Sequence, residues 1–290
     1  MRIVYHLGAH CTDEDRLVRC LLKNRAALAA AGIAVPSPTR YRRLLKDTAL
    51  QLKGEPAPGD QQMLLLDKIL GDDRADRMIL SWDGFLSHTP WVVRGTLYPF
   101  AGRRTRTFAR LFADFEAEFH LAIRNPATFL PALQKVVNAQ DQSDILDGAN
   151  PLDLRWSEVV ALIQERNPDT HLTVWCDEET PLIWPEVLQA VSGHGPDLQL
   201  AHTDELLSLI MNEIGLARMQ TYLAEHPPQS VHQRRRVVSA FLEKFCRPES
   251  VTYEIDKPGW TEDLVDRLTD RYAEDVERIR AMPGVTFLTS

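Results

Sequence analysis

The chain has 290 residues, 44% of them hydrophobic and 26% charged, which excludes a disordered or collagen-like chain; with only four cysteines it is no disulfide-dense scaffold either. Lys and Arg number 33 against 41 Asp and Glu, so the formal net charge is −8. An acidic chain argues against broad nucleic-acid binding, which relies on cations neutralising phosphates, and no nucleic-acid partner is expected.

Arg2 to Leu7 is β-rich and stops at Gly8. The spacing then predicts one helix over Asp13 to Ala31, with Leu17, Leu21 and Leu28 on one face, Thr12 as its N-cap and Gly32 at its end. Ile33 to Val35 is a short extended piece closed by Pro36. Helices are expected over 38–54 and 59–71, separated by Gly54-Glu55-Pro56-Ala57-Pro58-Gly59. Met78 to Trp82 is the next strand. Residues 86–105 hold prolines, glycines and aromatics and form a long excursion, a common seat of function. A helix over Thr105 to Phe115 and a buried strand over Glu118 to Ile123 follow. Pro126 suits the first position of a helix that runs to Gln140 and bends at Pro131. Asp141 to Asp153 is polar and turn-rich. Next come a helix over Trp156 to Glu165, a strand over His171 to Cys176 and a helix over Pro181 to Val191. Beyond about Gly195 the pattern is helical, over 203–225, 229–246 and 261–281, with 251–255 and 285–288 as short edge strands.

This alternation defines an α/β protein with a parallel sheet flanked by helices. Residues 2–7, 78–82, 118–123 and 171–176 are expected to be neighbours in it. One domain spans 1–290, with 1–195 carrying the sheet and 196–290 a mainly helical C-terminal extension packed on it.

Cys11, Cys20, Cys176 and Cys246 form no CxxC pair, so no metal site is expected and free thiols in a reducing compartment follow. His6 and His10 interrupt the apolar opening, acidic residues begin at Asp13, and no run of about 18 apolar residues occurs. These features predict a cytoplasmic protein without a signal peptide or membrane span.

Three places could carry chemistry. The first is the loop Gly8-Ala9-His10-Cys11-Thr12-Asp13, where a strand feeds a tight loop and a helix, a geometry that suits a phosphate or sulfate. Its acidic continuation, Asp13-Glu14-Asp15, equally suits an ordinary capped helix. The second is Arg124, at the carboxyl end of a central strand and just before Pro126, an oxyanion clamp or else a surface ion-pair partner. The third is Asp83, at the end of Ser81-Trp82-Asp83, a general base or else a turn residue before Gly84. Arg94, Arg103, Arg104 and Arg106 make a basic cluster beside Trp91 and Tyr98 that could meet an acidic substrate or be a solvated face.

The order of these pieces resembles the bacterial sulfotransferase family. Ile3-Val4-Tyr5-His6-Leu7-Gly8-Ala9, an amphipathic helix, then Gly32-Ile33 and Pro36 are similar to its opening. Leu80-Ser81-Trp82-Asp83 looks like its Ser-x-Glu strand end, and His120-Leu121-Ala122-Ile123-Arg124-Asn125-Pro126 looks like its strand and Arg-Asn/Asp-Pro motif. The resemblance covers roughly the first half of the chain. It implies a P-loop NTPase-like sulfotransferase architecture and transfer of a sulfuryl group from 3′-phosphoadenosine 5′-phosphosulfate to a hydroxyl or amine of a glycan or small molecule. It assigns Arg124 to the 3′-phosphate, the backbone of Gly8, Ala9, His10, Cys11 and Thr12 to the 5′-phosphosulfate, and Asp83 to the acceptor proton. The chain departs from the family where its loop Lys falls on Cys11, its Gly-Thr-Thr on Asp13-Glu14-Asp15 and its later Ser on Ala132. Arg16, Arg103, Arg104 or Arg106 would have to supply the missing cation. The alternative is a non-catalytic relative that binds a glycan, nucleotide or protein partner. A nucleotide-kinase-type phosphotransferase is disfavoured because no GxxxxGK[ST] occurs.

Overall fold

A computed structural model describes residues 1–138, 144–251 and 259–290. Eight strands occur in chain order among them: β1 (Arg2–His6), β2 (Ile33–Ala34), β3 (Arg77–Ser81), β4 (Val93–Arg94), β5 (Thr96–Leu97), β6 (Glu116–Ile123), β7 (His171–Cys176) and β8 (Val285–Leu288). Six form one sheet in the order β2-β3-β1-β6-β7-β8, and every pairing in it is parallel. β4 and β5 make a separate antiparallel hairpin inside the 86–105 excursion. The four strands expected to be neighbours are the central four. The 285–288 segment joins as an edge strand, so the C-terminal part also contributes to the sheet. The expected strand over 251–255 has Val251 at the end of a short helix, Pro248–Val251, and its remaining residues lie outside the described ones.

Alternation along the strands sends side chains to two buried faces, as a parallel sheet covered on both sides requires. Ile3, Tyr5, Met78, Leu80, Phe119, Leu121, Leu172 and Val174 lie in one core. Helices Pro38–Leu52, Ala101–Ala109, Pro126–Asn138 and Trp156–Arg166 contribute Tyr41, Phe108, Phe129 and Trp156 to it. Val4, Ile79, Ala122 and Trp175 lie in the other, under helices Arg16–Lys23 and Thr180–Ser192. The second face also buries a polar row. Arg77 holds Glu118 through two bonds of 2.9 and 2.7 Å, Glu118 meets His120 Nε2 at 2.7 Å, and His6 Nδ1 meets Ser81 Oγ at 2.9 Å.

Two expected helices are broken, each at an asparagine. The 13–31 segment is Arg16–Lys23 and Arg25–Ala30, parted at Asn24. The buried Asn24 amide donates to Cys20 O and Ala201 O and accepts from Ala201 N–H, tying the helix pair to a distant segment. The 203–225 segment is Glu205–Ile210 and Glu213–Glu225, the second capped by Asn212, whose Oδ1 accepts from Gly215 N–H. The helix expected from Thr105 starts earlier, at Ala101, and ends in a 3₁₀ turn over Arg110–Phe112. Asn125 Oδ1 accepts from Ala127 N–H at 2.9 Å and so opens the helix beginning at Pro126.

Candidate functional site

Beyond the carboxyl ends of β1 and β6 the chain leaves in opposite directions, from β1 towards the β2–β3 side and from β6 towards β7. That reversal opens a crevice where open α/β sheets gather ligands. The loop after β1 forms one lip. Gly8 turns it with φ +53°, a conformation that favours glycine. Leu7 N–H donates to His120 O, and Thr12 donates to Ala9 O through both its amide and its hydroxyl. Cys11, Glu14 and Asp15 also have positive φ, so the chain winds through two more turns before the helix starts at Arg16. Thr12 is therefore not the N-cap that its spacing predicts. Asp13 does that work, its Oδ1 accepting from Leu17 N–H at 2.8 Å.

Arg124 forms the other lip. Its side chain is buried, its Nη1 donates to the Cys11 carbonyl and its Nε donates to Thr128 Oγ1 at 3.2 Å. The residue thus fastens the end of β6 to the loop. Between the lips lies a cavity of about 320 Å³, walled by Trp175 and Trp184 and bordered by Thr12, Asp13, Arg16, Arg124, Thr128 and Asp177. Burial pushes the Asp13 carboxyl up to about 6 and, with Glu178 adding to it, the Asp177 carboxyl up to about 7. Arg16 is shared with Glu14 at 2.6 Å.

Asp83 stands across the loop and is not among the residues bordering this cavity. Its Oδ2 lies 3.8 Å from His10 Nε2, and its side chain is half exposed. The buried Tyr98 hydroxyl accepts from His10 N–H at 2.9 Å and lies 3.0 Å from His10 Nδ1. In the tautomer where the Tyr98 hydroxyl donates to Nδ1, Nε2 carries the ring proton on the Asp83 side. Burial keeps the His10 ring below the usual histidine range, so it is neutral at physiological pH. Cys11 lies between the two sides of the loop, and burial raises its thiol to about 11, which leaves it protonated.

Every expected site residue is thus on one loop or touches it. Arg16 borders the crevice. Arg103, Arg104 and Arg106 do not, and they line a separate cavity with His88, so they supply no cation to the crevice. Sequence reasoning missed Tyr98, Thr128 and Asp177. Asp177 carried a signal, because it directly follows the strand His171–Cys176. Among the described residues no cluster of three or more His, Cys, Asp or Glu could hold a metal ion, and no helix is long and apolar enough to cross a membrane. No family model, curated protein or solved structure matches the chain.

Proposed function

We propose that the chain is a divergent sulfotransferase of P-loop-like architecture, taking its sulfuryl group from 3′-phosphoadenosine 5′-phosphosulfate. The observation that carries the reading is the single loop, Gly8 to Thr12, held by Arg124 on one side and facing the His10–Asp83 pair on the other. In this reading Arg124 and the Thr128 hydroxyl receive the 3′-phosphate, and Thr128 takes the part of the absent Ser at Ala132. The indole rings of Trp175 and Trp184 offer apolar walls to the base. On the far side of the loop the acceptor oxygen attacks sulfur while its proton passes to Asp83. The bond from sulfur to the bridging phosphate oxygen breaks, and 3′,5′-adenosine diphosphate leaves. His10 does not take the proton. Its ring stands beside the Asp83 carboxylate at 3.8 Å, and Tyr98 holds the ring there. The acceptor is a hydroxyl or amine of a glycan or small molecule, and the setting is cytoplasmic.

A specific observation favours a second reading, a non-catalytic relative that only binds. Arg124 already bonds the Cys11 carbonyl, and three carboxyls, those of Asp13, Asp177 and Glu178, border the donor cavity. Calorimetric titration with 3′,5′-adenosine diphosphate separates the two. The first reading expects binding by the native chain and a loss of at least about tenfold in Arg124→Ala, since a charge-assisted contact is worth roughly 1.5–3 kcal/mol. Asp83→Asn should bind the nucleotide unchanged and transfer nothing. A native chain that does not bind the nucleotide leaves the second reading standing.

A further inference from the structure

A second cavity, of about 310 Å³, lies between the end of helix Pro38–Leu52 and helix Ala101–Ala109. Six cations line it: Lys46, Lys53, Arg103, Arg104, Arg106 and Arg110, with His88 at one end and no Asp or Glu among the lining residues. Among the described residues none of the six is in an ion pair. Arg104, Arg106 and Arg110 donate only to backbone carbonyls, those of Gly84, Arg166 and Gly54. Arg103 sits over the Phe100 ring at 5.3 Å. Arg104 Nε is buried and has no partner.

Cations near helix C-termini ordinarily serve the helix dipole and face solvent. That need does not bring six of them around one concavity, unmatched, in a chain of net charge −8. Like charges gathered in a pocket repel one another and focus a positive potential into it. Planar guanidinium forks bind pairs of oxygens on tetrahedral phosphate and sulfate groups.

We propose that this cavity binds a small polyanion carrying two or more phosphate or sulfate ester groups. Its His88 end approaches Asp83, since Arg104 bonds Gly84 O and His88 lies in the field of both Arg104 and Asp83. In the sulfuryl-transfer reading such a ligand is the acceptor. The binding itself stands without that reading.

The test uses the full chain and two probes, inorganic tripolyphosphate and sucrose octasulfate, titrated calorimetrically at low salt. Single-site binding of at least one probe is expected, weakening as salt rises. The stronger probe tells phosphate from sulfate ester as the source. Lys46→Glu with Arg103→Glu, both exposed and outside any helix-to-helix bond, should weaken it by at least about tenfold. Arg236→Glu, an exposed cation on another helix, should not change it, and neither should Arg124→Ala, which tests the nucleotide crevice alone. Absence of binding by both probes, or binding that ignores the Lys46 and Arg103 changes, overturns the proposal.

Discussion

Asp13 and Asp177 set the sign of the potential in the crevice between β1 and β6. Burial raises both, to about 6 and about 7, against Arg16 and Arg124 on the same rim. Glu178 and Asp15 push in the same direction as burial, and Arg19 opposes it at Asp13. A carboxyl with a raised value is neutral below it and charged above it. These two carboxylates therefore repel an anion at pH 8, and most of their repulsion is gone by pH 5.5. The double change Asp13→Asn with Asp177→Asn keeps the acceptor for Leu17 N–H and removes these two charges, leaving that of Glu178. At pH 8 it should bind 3′,5′-adenosine diphosphate about tenfold or more tighter than the native chain, a modest share of the roughly 4 kcal/mol that one like-charge pair carries at about 4 Å and an effective dielectric of about 20. At pH 5.5 most of that difference should be gone. The ratio cancels the titration of the ligand's own phosphates, and a ratio constant across this range would remove these carboxyls from the site. At this scale the sequence made Arg124 and Asp83 legible because each ends a strand. It did not make Tyr98 legible, because its role depends on an excursion that returns to the loop from elsewhere in the chain; Thr128 is only four residues from Arg124, but the family pattern points to position 132 instead.

Elements followed their local patterns wherever one stretch of chain decided the outcome. The helices over Pro38–Leu52, Gly59–Leu70 and Trp156–Arg166 stand close to where periodicity places them. The failures have a distant cause. Asn24 breaks a helix because its amide is taken by Ala201, and no local spacing contains that partner. A distant residue also starts a helix. Asp275, buried on helix Glu262–Arg280, accepts from Trp156 N–H at 2.7 Å, from Ser157 N–H at 3.1 Å and from the Ser157 hydroxyl. It caps helix Trp156–Arg166 from outside, and Trp156 in turn donates its indole N–H to Arg124 O at 2.8 Å. Asp275→Ala removes the cap and leaves a buried amide unpaired, costing about 3 kcal/mol; Asp275→Asn, which keeps one acceptor oxygen, should cost about 1 kcal/mol. Urea unfolding at neutral pH measures both. Equal losses would mean that the contact is packing and not a cap.

The whole molecule is held in register by a polar row that the apolar strand pattern conceals. Arg2 on β1, Arg77 on β3, and Glu118 and His120 on β6 tie three neighbouring strands across the second face of the sheet, the Arg77–Glu118 pair spanning β1. Burial pushes the Glu118 carboxyl up, but hydrogen bonds from His120 and Arg77 overcome it and hold the group at about 2. A carboxyl lowered on folding stabilises the folded state above its unfolded value of about 4.5 and loses that contribution as pH falls towards 2. A shift of this size is worth about 3 kcal/mol. His120 does not offset it, because burial holds its ring below the usual histidine range, which also favours the unfolded state as pH falls. Stability of the native chain should therefore fall by about 3 kcal/mol between pH 4.5 and pH 2 from this group alone. Glu118→Gln should be about 3–5 kcal/mol less stable at pH 7, since it strands the Arg77 charge. It should also lose much less over the acid range. Denaturant unfolding of both chains at pH 7, 4.5 and 2 decides the matter: parallel acid losses in the two would place the sheet's acid sensitivity elsewhere.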